Sequence, residues 1–375
     1  MLNIFKLVST KLLSISAVIS VFIYLYLLNG FELIGEYSAL TAVVAPLVTF
    51  SLYKYLELIN IACNDNKKFF LQEILPSTVI TYLFGCLFLI LINYFLEIFD
   101  QRVFLIFIFI KYLDLRFELS IGFFSSKKNF SYVLKQNFIR IFMFWFVALI
   151  FFLSNFSIDL ELALVVYLIS QLPIFLYEFF LIREKYNLCL VRKYIISNFK
   201  YGVLNTVVSL NSIVPRYLIM YFGDNKSLGI YTILHLFSSN FVNVLQHPLS
   251  VYCEKINQKI DLDLRNKLIF PGFSLFFSGF ILVWFDEDYF LLFIFFILVL
   301  ASFLIRGVFI TISVVRNVNL NFFMILSIVF SAVFICLYVY MFNLNNYVVL
   351  GCLYILCSNF IFMVLGERKV SKAYE

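Results

Sequence analysis

The sequence is poor in charged residues. Asp, Glu, Lys and Arg make up 13% of the 375 residues, whereas a typical soluble domain has about a quarter. A chain with so few polar side chains cannot cover a water-exposed surface, which excludes a soluble enzyme, a disordered chain and a nucleic-acid-binding domain. Hydrophobic residues make up 63%, including 50 Phe and 24 Tyr. The sequence therefore predicts that lipid surrounds most of the protein.

Residues that carry metal or redox chemistry are also few. The seven cysteines include no Cys-x-x-Cys pair, and the two histidines, His235 and His247, are widely spaced. The sequence contains no zinc or haem motif, no disulfide framework and no phosphate-binding loop of the Gly-x4-Gly-Lys-[Ser/Thr] type. We therefore expect no cofactor, no metal site and no catalytic residues.

Long apolar runs predict about twelve transmembrane helices. Each run has roughly the 20 residues that a hydrocarbon core of about 30 Å requires, and the runs are too continuous for transmembrane strands. The predicted spans are residues 12–28, 38–60, 77–98, 103–124, 137–154, 162–181, 201–222, 230–252, 267–285, 289–312, 320–341 and 346–366. The predicted fold class is an all-α integral membrane protein.

The basic residues predict the orientation of the helices. With the N-terminus in the cytoplasm, almost all Lys and Arg residues outside the spans fall on the cytoplasmic side, and Arg306, near the end of span 289–312, is counted with them. Only Arg102 and Lys226 fall on the outer side, whose short loops instead carry acidic residues such as Asp224. The positive-inside rule therefore predicts that both termini are cytoplasmic.

The chain divides into two similar halves. We predict an N-terminal six-helix bundle over residues 1–182, a basic cytoplasmic linker over 183–200 and a C-terminal six-helix bundle over 201–375. The segment Ile34–Leu40 aligns with Leu228–Leu234 at an offset of 194 residues, which pairs Tyr37 with Tyr231. Both segments begin the second helix of their half. Six helices per half give the halves the same orientation, which indicates a parallel repeat.

One stretch of the second half resembles a known family. Residues 211–232 contain Pro215-Arg216, then Gly223-Asp224, then Leu228-Gly229-Ile230-Tyr231-Thr232. This order is similar to the junction between the seventh and eighth helices of Wzx-type flippases, which export O-antigen and capsular polysaccharide repeat units. These flippases belong to the multidrug/oligosaccharidyl-lipid/polysaccharide (MOP) exporter superfamily. In two places the sequence departs from the family pattern, at residues 28–31 and at residues 54–57.

The resemblance implies a function. A Wzx-type flippase moves an undecaprenyl-diphosphate-linked oligosaccharide from the cytoplasmic to the periplasmic leaflet of the bacterial inner membrane. It works by alternating access through a cationic cavity between two bundles. The resemblance also implies contact with membrane lipids, and other polysaccharide assembly proteins as partners. Coupling to an ion gradient is a hypothesis that rests on the acidic residues inside the predicted spans. The resemblance implies no covalent step, and therefore no enzyme.

Charges inside the predicted spans are the candidate site residues. A charge at mid-membrane costs about 2.5–3.5 kcal/mol on insertion scales, so it should face a cavity or a partner. Lys111, Asp114 and Glu118 share one face of the fourth span, since their spacing is i, i+3, i+7. Arg216 follows Pro215, which favours a broken helix beside a cation. The predicted substrate-binding cations are Arg216, Lys111, Arg116 and Lys54, and the predicted ion-coupling carboxylates are Asp114, Glu57 and Glu118.

Several of these charges also have purely structural interpretations. Lys111 and Asp114 could neutralise each other and merely pack, while Lys54 and Arg216 could extend to the lipid headgroups. We interpret Arg140 and Glu178 as interfacial residues. We interpret His235 and His247 as hydrogen-bonded residues of an apolar helix rather than as a proton relay.

Two other functions remain open. A Wzy-type O-antigen polymerase would share this composition, but it needs large basic periplasmic loops, and the outer loops here are short and acidic. A drug/Na⁺ antiporter of the same superfamily would bind cations in an acidic, aromatic cavity. The basic residues within the predicted spans favour an anionic substrate instead.

Overall fold

Helices form nearly all of the described structure. The computed structural model describes residues 2–52, 74–126, 129–153, 159–181, 188–256, 272–274, 289–315, 320–342 and 347–372. These ranges contain no β-strand, which confirms the predicted all-α fold class. The helices are α1 (Leu2–Leu52), α2 (Leu75–Leu96), α3 (Gln101–Ser126), α4 (Phe130–Leu153), α5 (Leu160–Leu181), α6 (Leu188–Phe222), α7 (Asn225–Ile256), α8 (Tyr289–Val315), α9 (Asn321–Phe342) and α10 (Tyr347–Lys372).

The helices agree with the predicted spans. The first two spans both fall on α1, and each later helix matches one span. The exception is span 267–285, of which only residues 272–274 are described. Within the described ranges, seven helices are long and apolar enough to cross a membrane, or eight with the bent α6. The helices α3 and α7 are long enough but not apolar enough. Charged residues interrupt α3, and residues such as His235 and Asn240 lower the hydropathy of α7.

A break divides α1 into two arms. At Asn29 and Gly30 the backbone leaves the helical region, and Gly30 has φ +64° and ψ −144°. Residues with a Cβ rarely adopt this conformation. The rings of Phe22 and Tyr37 lie only 5.5 Å apart, although 15 residues of straight helix would separate them by about 22 Å. The two arms therefore fold back on each other as a helical hairpin.

The chain forms two compact units, Met1–Ser209 and Leu210–Glu375. In the N-terminal unit, α1 packs against α2 and α4, and α3 packs against α5. In the C-terminal unit, α7 packs against α8, and α10 packs against both α8 and α9. Residues 183–187 of the predicted linker lie outside the described ranges, and the rest of that segment belongs to α6.

Acidic residues of the predicted outer loops cap helices. The Oδ1 atoms of Asp100, Asp159 and Asp224 accept backbone N–H bonds of 2.7–3.1 Å at the starts of α3, α5 and α7. A carboxylate there satisfies an unpaired N–H group and interacts favourably with the helix dipole. The acidic character of these loops therefore has a structural cause in addition to topology.

Candidate functional site

A polar cluster joins four helices inside the N-terminal unit. It consists of Tyr37 on α1, Lys111 and Asp114 on α3, Arg140 on α4 and Tyr167 on α5. We call these five residues the N-terminal cluster. Charged side chains are costly in an apolar interior unless they are paired, and this cluster pairs them across helices.

The Asp114 carboxylate is the centre of this cluster. Its Oδ2 accepts a bond of 3.3 Å from Lys111 Nζ. Its Oδ1 accepts a guanidinium bond from Arg140 and a hydroxyl bond of 2.9 Å from Tyr167. Lys111 Nζ also donates to the Tyr37 hydroxyl at 3.2 Å. Two cations share one carboxylate, so the N-terminal cluster carries one net positive charge.

Aromatic rings surround the two cations of the cluster. Lys111 Nζ lies 5.2 Å from the centroid of the Phe107 ring and 5.4 Å from that of Tyr37. The guanidinium carbon of Arg140 lies 4.7 Å from the centroid of the Phe117 ring. Cation–π contacts of this kind become stronger away from water. Together with the carboxylate, they hold the cations in place.

The four charges of α3 separate into different environments. Lys111 and Asp114 meet in the N-terminal cluster, as their spacing predicts. Arg116 is buried on another side of the helix, 5.7 Å from the Phe175 ring. The Glu118 side chain is exposed, and its charge interacts electrostatically with Arg140.

Arg140 is a site residue that sequence reasoning missed. The interfacial interpretation is wrong, because Arg140 is only 9% exposed and forms an ion pair. The interpretation failed because the start of the helix was predicted too late in the sequence. The predicted span began at residue 137, whereas α4 begins at Phe130, after Asn129 has capped its first turn. Arg140 therefore lies almost three turns inside the helix. Asn129, a residue type that often precedes the first turn of a helix, was the sequence feature that could have indicated the earlier start.

A second polar cluster lies inside the C-terminal unit. Arg306 Nη1 on α8 donates to Asn359 Oδ1 on α10 at 2.7 Å, and Asn359 Nδ2 donates to Ser302 Oγ at 2.9 Å. The Arg306 guanidinium also lies 5.3 Å from the Phe362 ring. We call Ser302, Arg306 and Asn359 the C-terminal cluster. The sequence analysis counts Arg306 among the cytoplasmic basic residues, and the structure places its side chain in a buried position within α8.

Arg216 and His235 lie near the C-terminal cluster. Arg216 is partly buried on α6, and its charge acts on Tyr231 and His235 of α7. His235 is buried, with ring centroids at 5.8 Å to Tyr231 and 5.7 Å to Phe303. The predicted break at Pro215 is not observed, since α6 remains helical there.

The other predicted site residues are not described. Lys54 and Glu57 both fall within residues 53–73, which lie outside the described ranges. Their roles therefore stay predictions. In the described part of the chain, no group of three His, Cys, Asp or Glu side chains is placed to hold a metal ion.

Comparison with known proteins identifies the fold. No protein family model matches the sequence, and no curated protein sequence is significantly similar to it. Among solved structures, the chain is similar to a MOP superfamily transporter from Pyrococcus furiosus Vc1 (DSM3638), with 12% identity and a TM-score of 0.52. The match covers 100% of this chain and 96% of that protein. For that transporter, the reverse polarity of its binding pocket is reported to suggest a different function.

A second solved structure is an inward-facing multidrug resistance MATE family transporter of the MOP superfamily. It has 9% identity and a TM-score of 0.49, and the match covers 98% of this chain and 95% of that one. At these identities the comparison with the Pyrococcus structure establishes fold alone. The chain has the all-helical fold of a MOP superfamily transporter.

Proposed function

We propose that this protein is a flippase for a lipid-linked oligosaccharide. The substrate is an undecaprenyl-diphosphate-linked repeat unit of O-antigen or capsule, carried from the cytoplasmic to the periplasmic leaflet of a bacterial inner membrane by alternating access. The MOP fold supports transport, and the resemblance at residues 211–232 supports this substrate class. Transport of this kind breaks no covalent bond, so the protein is not an enzyme under this proposal.

The charge inside the helices is the observation that carries the proposal. Besides Arg306, four cations lie within the described helices at buried or partly buried positions: Lys111, Arg116, Arg140 and Arg216. Inside the predicted spans, Asp114 is the one described carboxylate at such a position, and Glu118 is exposed. The partly buried Glu36, Glu161 and Glu367 lie just outside those spans. An interior with surplus positive charge attracts a diphosphate and repels a cationic drug.

The N-terminal cluster contributes fixed positive charge. Asp114 holds Lys111 and Arg140 in position, and the remaining unit of charge is available to a substrate anion. The same arrangement makes Asp114 a poor Na⁺ ligand, because two cations already occupy its oxygens. Of the α3 carboxylates, we therefore favour Glu118, whose side chain is exposed, as the residue coupled to an ion gradient.

Pocket polarity is a property that can vary within this fold. The Pyrococcus transporter, with its pocket of reverse polarity, is one instance in which polarity is linked to function. For this chain, the cationic interior supports an anionic substrate over drug export. Membrane lipids and other polysaccharide assembly proteins are the partners that this function would involve.

The decisive experiment is deletion of the gene in its host, with analysis of lipid-linked glycan in each leaflet. We expect single repeat units to accumulate on the cytoplasmic face and none to reach the surface. If single units reached the surface but long chains were lost, the protein would be a polymerase. If only drug susceptibility changed, the protein would be an antiporter and the proposal would be wrong.

Complementation of the deletion strain tests the cations. We expect Arg216→Gln to reduce surface glycan at least tenfold at equal protein levels. The control is Arg192→Gln, which removes an exposed arginine from the same helix. We expect the control to restore wild-type glycan. Equal restoration by both variants would contradict a role for Arg216 in substrate binding.

A further inference from the structure

The C-terminal cluster contains a buried cation without a carboxylate. Arg306 is 9% exposed, and no Asp or Glu among the described residues forms an ion pair with it. Its Nη1 group donates a hydrogen bond to the neutral amide of Asn359. A buried charge without a counter-charge is strongly unfavourable. A bound anion at this position would supply the missing counter-charge.

The N-terminal cluster shows how this protein neutralises buried cations elsewhere. There the Asp114 carboxylate forms ion pairs with both Lys111 and Arg140. Among the described residues, no carboxylate takes that role at Arg306, whose hydrogen-bond partner is the neutral amide of Asn359.

Arg306 and two tyrosines of the same unit have unused hydrogen-bond donors. Arg306 Nε is buried without a hydrogen-bond partner among the described residues, as are the hydroxyl groups of Tyr231 and Tyr354. The two tyrosines are almost completely buried. Tyr354 interacts electrostatically with both Arg306 and Tyr231. Unsatisfied buried donors are rare in native proteins and each one calls for an explanation.

We propose that the C-terminal unit binds a small inorganic anion at Arg306, and that this anion is chloride-sized. The anion would accept N–H bonds from Arg306 and an O–H bond from Tyr354. It would supply the negative charge that Asp114 supplies in the first half. Large aromatic side chains, Phe309 and Phe362, are fully buried beside the cation, which favours a compact ion over a bulky phosphate ester.

The anion site is separate from the proposed transport substrate. It lies among α7, α8 and α10 of one unit, and a small anion there stabilises that unit whether or not a lipid-linked glycan is bound. Binding to the folded state alone raises the melting temperature in a saturable, concentration-dependent way. A stability measurement without substrate therefore tests this proposal independently of the flippase proposal.

The experiment uses the purified full-length protein in detergent. Its melting temperature is measured in sodium chloride, bromide, gluconate and phosphate at one ionic strength and pH. We expect chloride and bromide to raise it by several degrees in a saturable way, relative to gluconate. Equal melting temperatures in chloride and gluconate would overturn the proposal. Stabilisation by phosphate without stabilisation by halides would also overturn it.

Two variants locate the anion. Arg306→Gln removes the cation, and we expect it to abolish the chloride response. Asn359→Asp places a carboxylate on the atom that already accepts from Arg306, which mimics Asp114 and keeps the side-chain volume. We expect Asn359→Asp to be as stable in gluconate as the wild type is in chloride, with no further chloride response.

The variants remain informative if one of them fails to fold. Should Arg306→Gln not fold, Asn359→Asp decides the result alone, because a full chloride response in that variant would overturn the proposal. The control is Arg192→Gln, an exposed arginine of α6. It should keep the wild-type response to chloride, and loss of that response would show that the effect does not come from Arg306.

Discussion

Arg140 on α4 forms an ion pair with Asp114 on α3 inside the N-terminal unit. The same carboxylate holds Lys111, so one acidic residue balances two cations from two helices. Removing one partner of a buried ion pair leaves an uncompensated charge, which typically costs 3–5 kcal/mol. Replacing both partners costs much less. This asymmetry separates the roles of the three residues.

Asp114→Asn should be the most destabilising single change in the N-terminal cluster. It keeps the shape of the side chain but leaves both Lys111 and Arg140 without a counter-charge. We expect the free energy of unfolding to fall by at least about 3 kcal/mol. Unfolding in mixed detergent micelles, followed by loss of helical circular dichroism, measures this change.

A double variant provides the control for the ion pair. Asp114→Asn combined with Arg140→Gln removes one charge of each sign. We expect the double variant to lose less free energy of unfolding than the two single variants together. The difference, which is the coupling energy of the pair, should be about 1–3 kcal/mol. Strictly additive effects would show that the two charges do not stabilise each other.

The cap at Asp224 predicts a modest loss of stability. Asp224 accepts the backbone N–H of Ser227 at 2.7 Å at the start of α7. We expect Asp224→Ala to lower the free energy of unfolding by about 1 kcal/mol. Asp224→Asn is the matched control, because asparagine caps helices equally well. If both variants lost the same stability, the cap would not be the cause.

The same residue predicts a dependence on pH. Hydrogen bonds from Ser227 hold the pKa of the Asp224 carboxyl below its ordinary value. A depressed pKa means that the carboxylate stabilises the fold above the usual aspartate pKa, and that this contribution disappears as the pH falls through the lowered value. Thermal melts between pH 7 and pH 3 should therefore show a slightly steeper acid loss for the wild type than for Asp224→Asn.

At the break in α1, the backbone has a conformation that is favourable only for glycine. Gly30→Ala meets no steric contact, since no atom lies within 4 Å of the added methyl group. The backbone at φ +64° and ψ −144° is nevertheless unfavourable for alanine, so we expect a loss of about 1–3 kcal/mol. Asn29→Ala is the control in the same turn, because the φ of Asn29 is negative at −147° and alanine there avoids the penalty of a positive φ. The two variants are compared by thermal melting.

A close helix contact predicts a second sensitive glycine. A methyl group on Gly351 of α10 would lie 2.6 Å from the Tyr231 ring of α7. Overpacking of this kind costs about 1–3 kcal/mol. At Gly366 the nearest atom would lie 3.0 Å away, so Gly366→Ala should be tolerated better. The melting temperatures of the two variants should differ in that order, and the reverse order would contradict the contact.

The sequence was sufficient for the fold but not for the pairing of charges. Apolar runs of membrane-spanning length fixed the helices, and the i, i+3 spacing correctly joined Lys111 to Asp114. The partners Arg140 and Asn359 come from other helices, and helical periodicity says nothing about which helices meet. In the sequence, Tyr37 and Tyr231 are recognisable only as matching residues of the repeat. Their positions beside Lys111 and near Arg216 depend on the packing of the helices.

The hairpin formed by the arms of α1 also has a consequence for biosynthesis. Because only two non-helical residues join the arms, the arms cannot insert into the membrane independently. Once the first arm has adopted its orientation, the second arm must cross the membrane in the opposite direction. The N-terminal lysines Lys6 and Lys11 would therefore orient both arms in a single insertion event, before any later part of the chain has been synthesised.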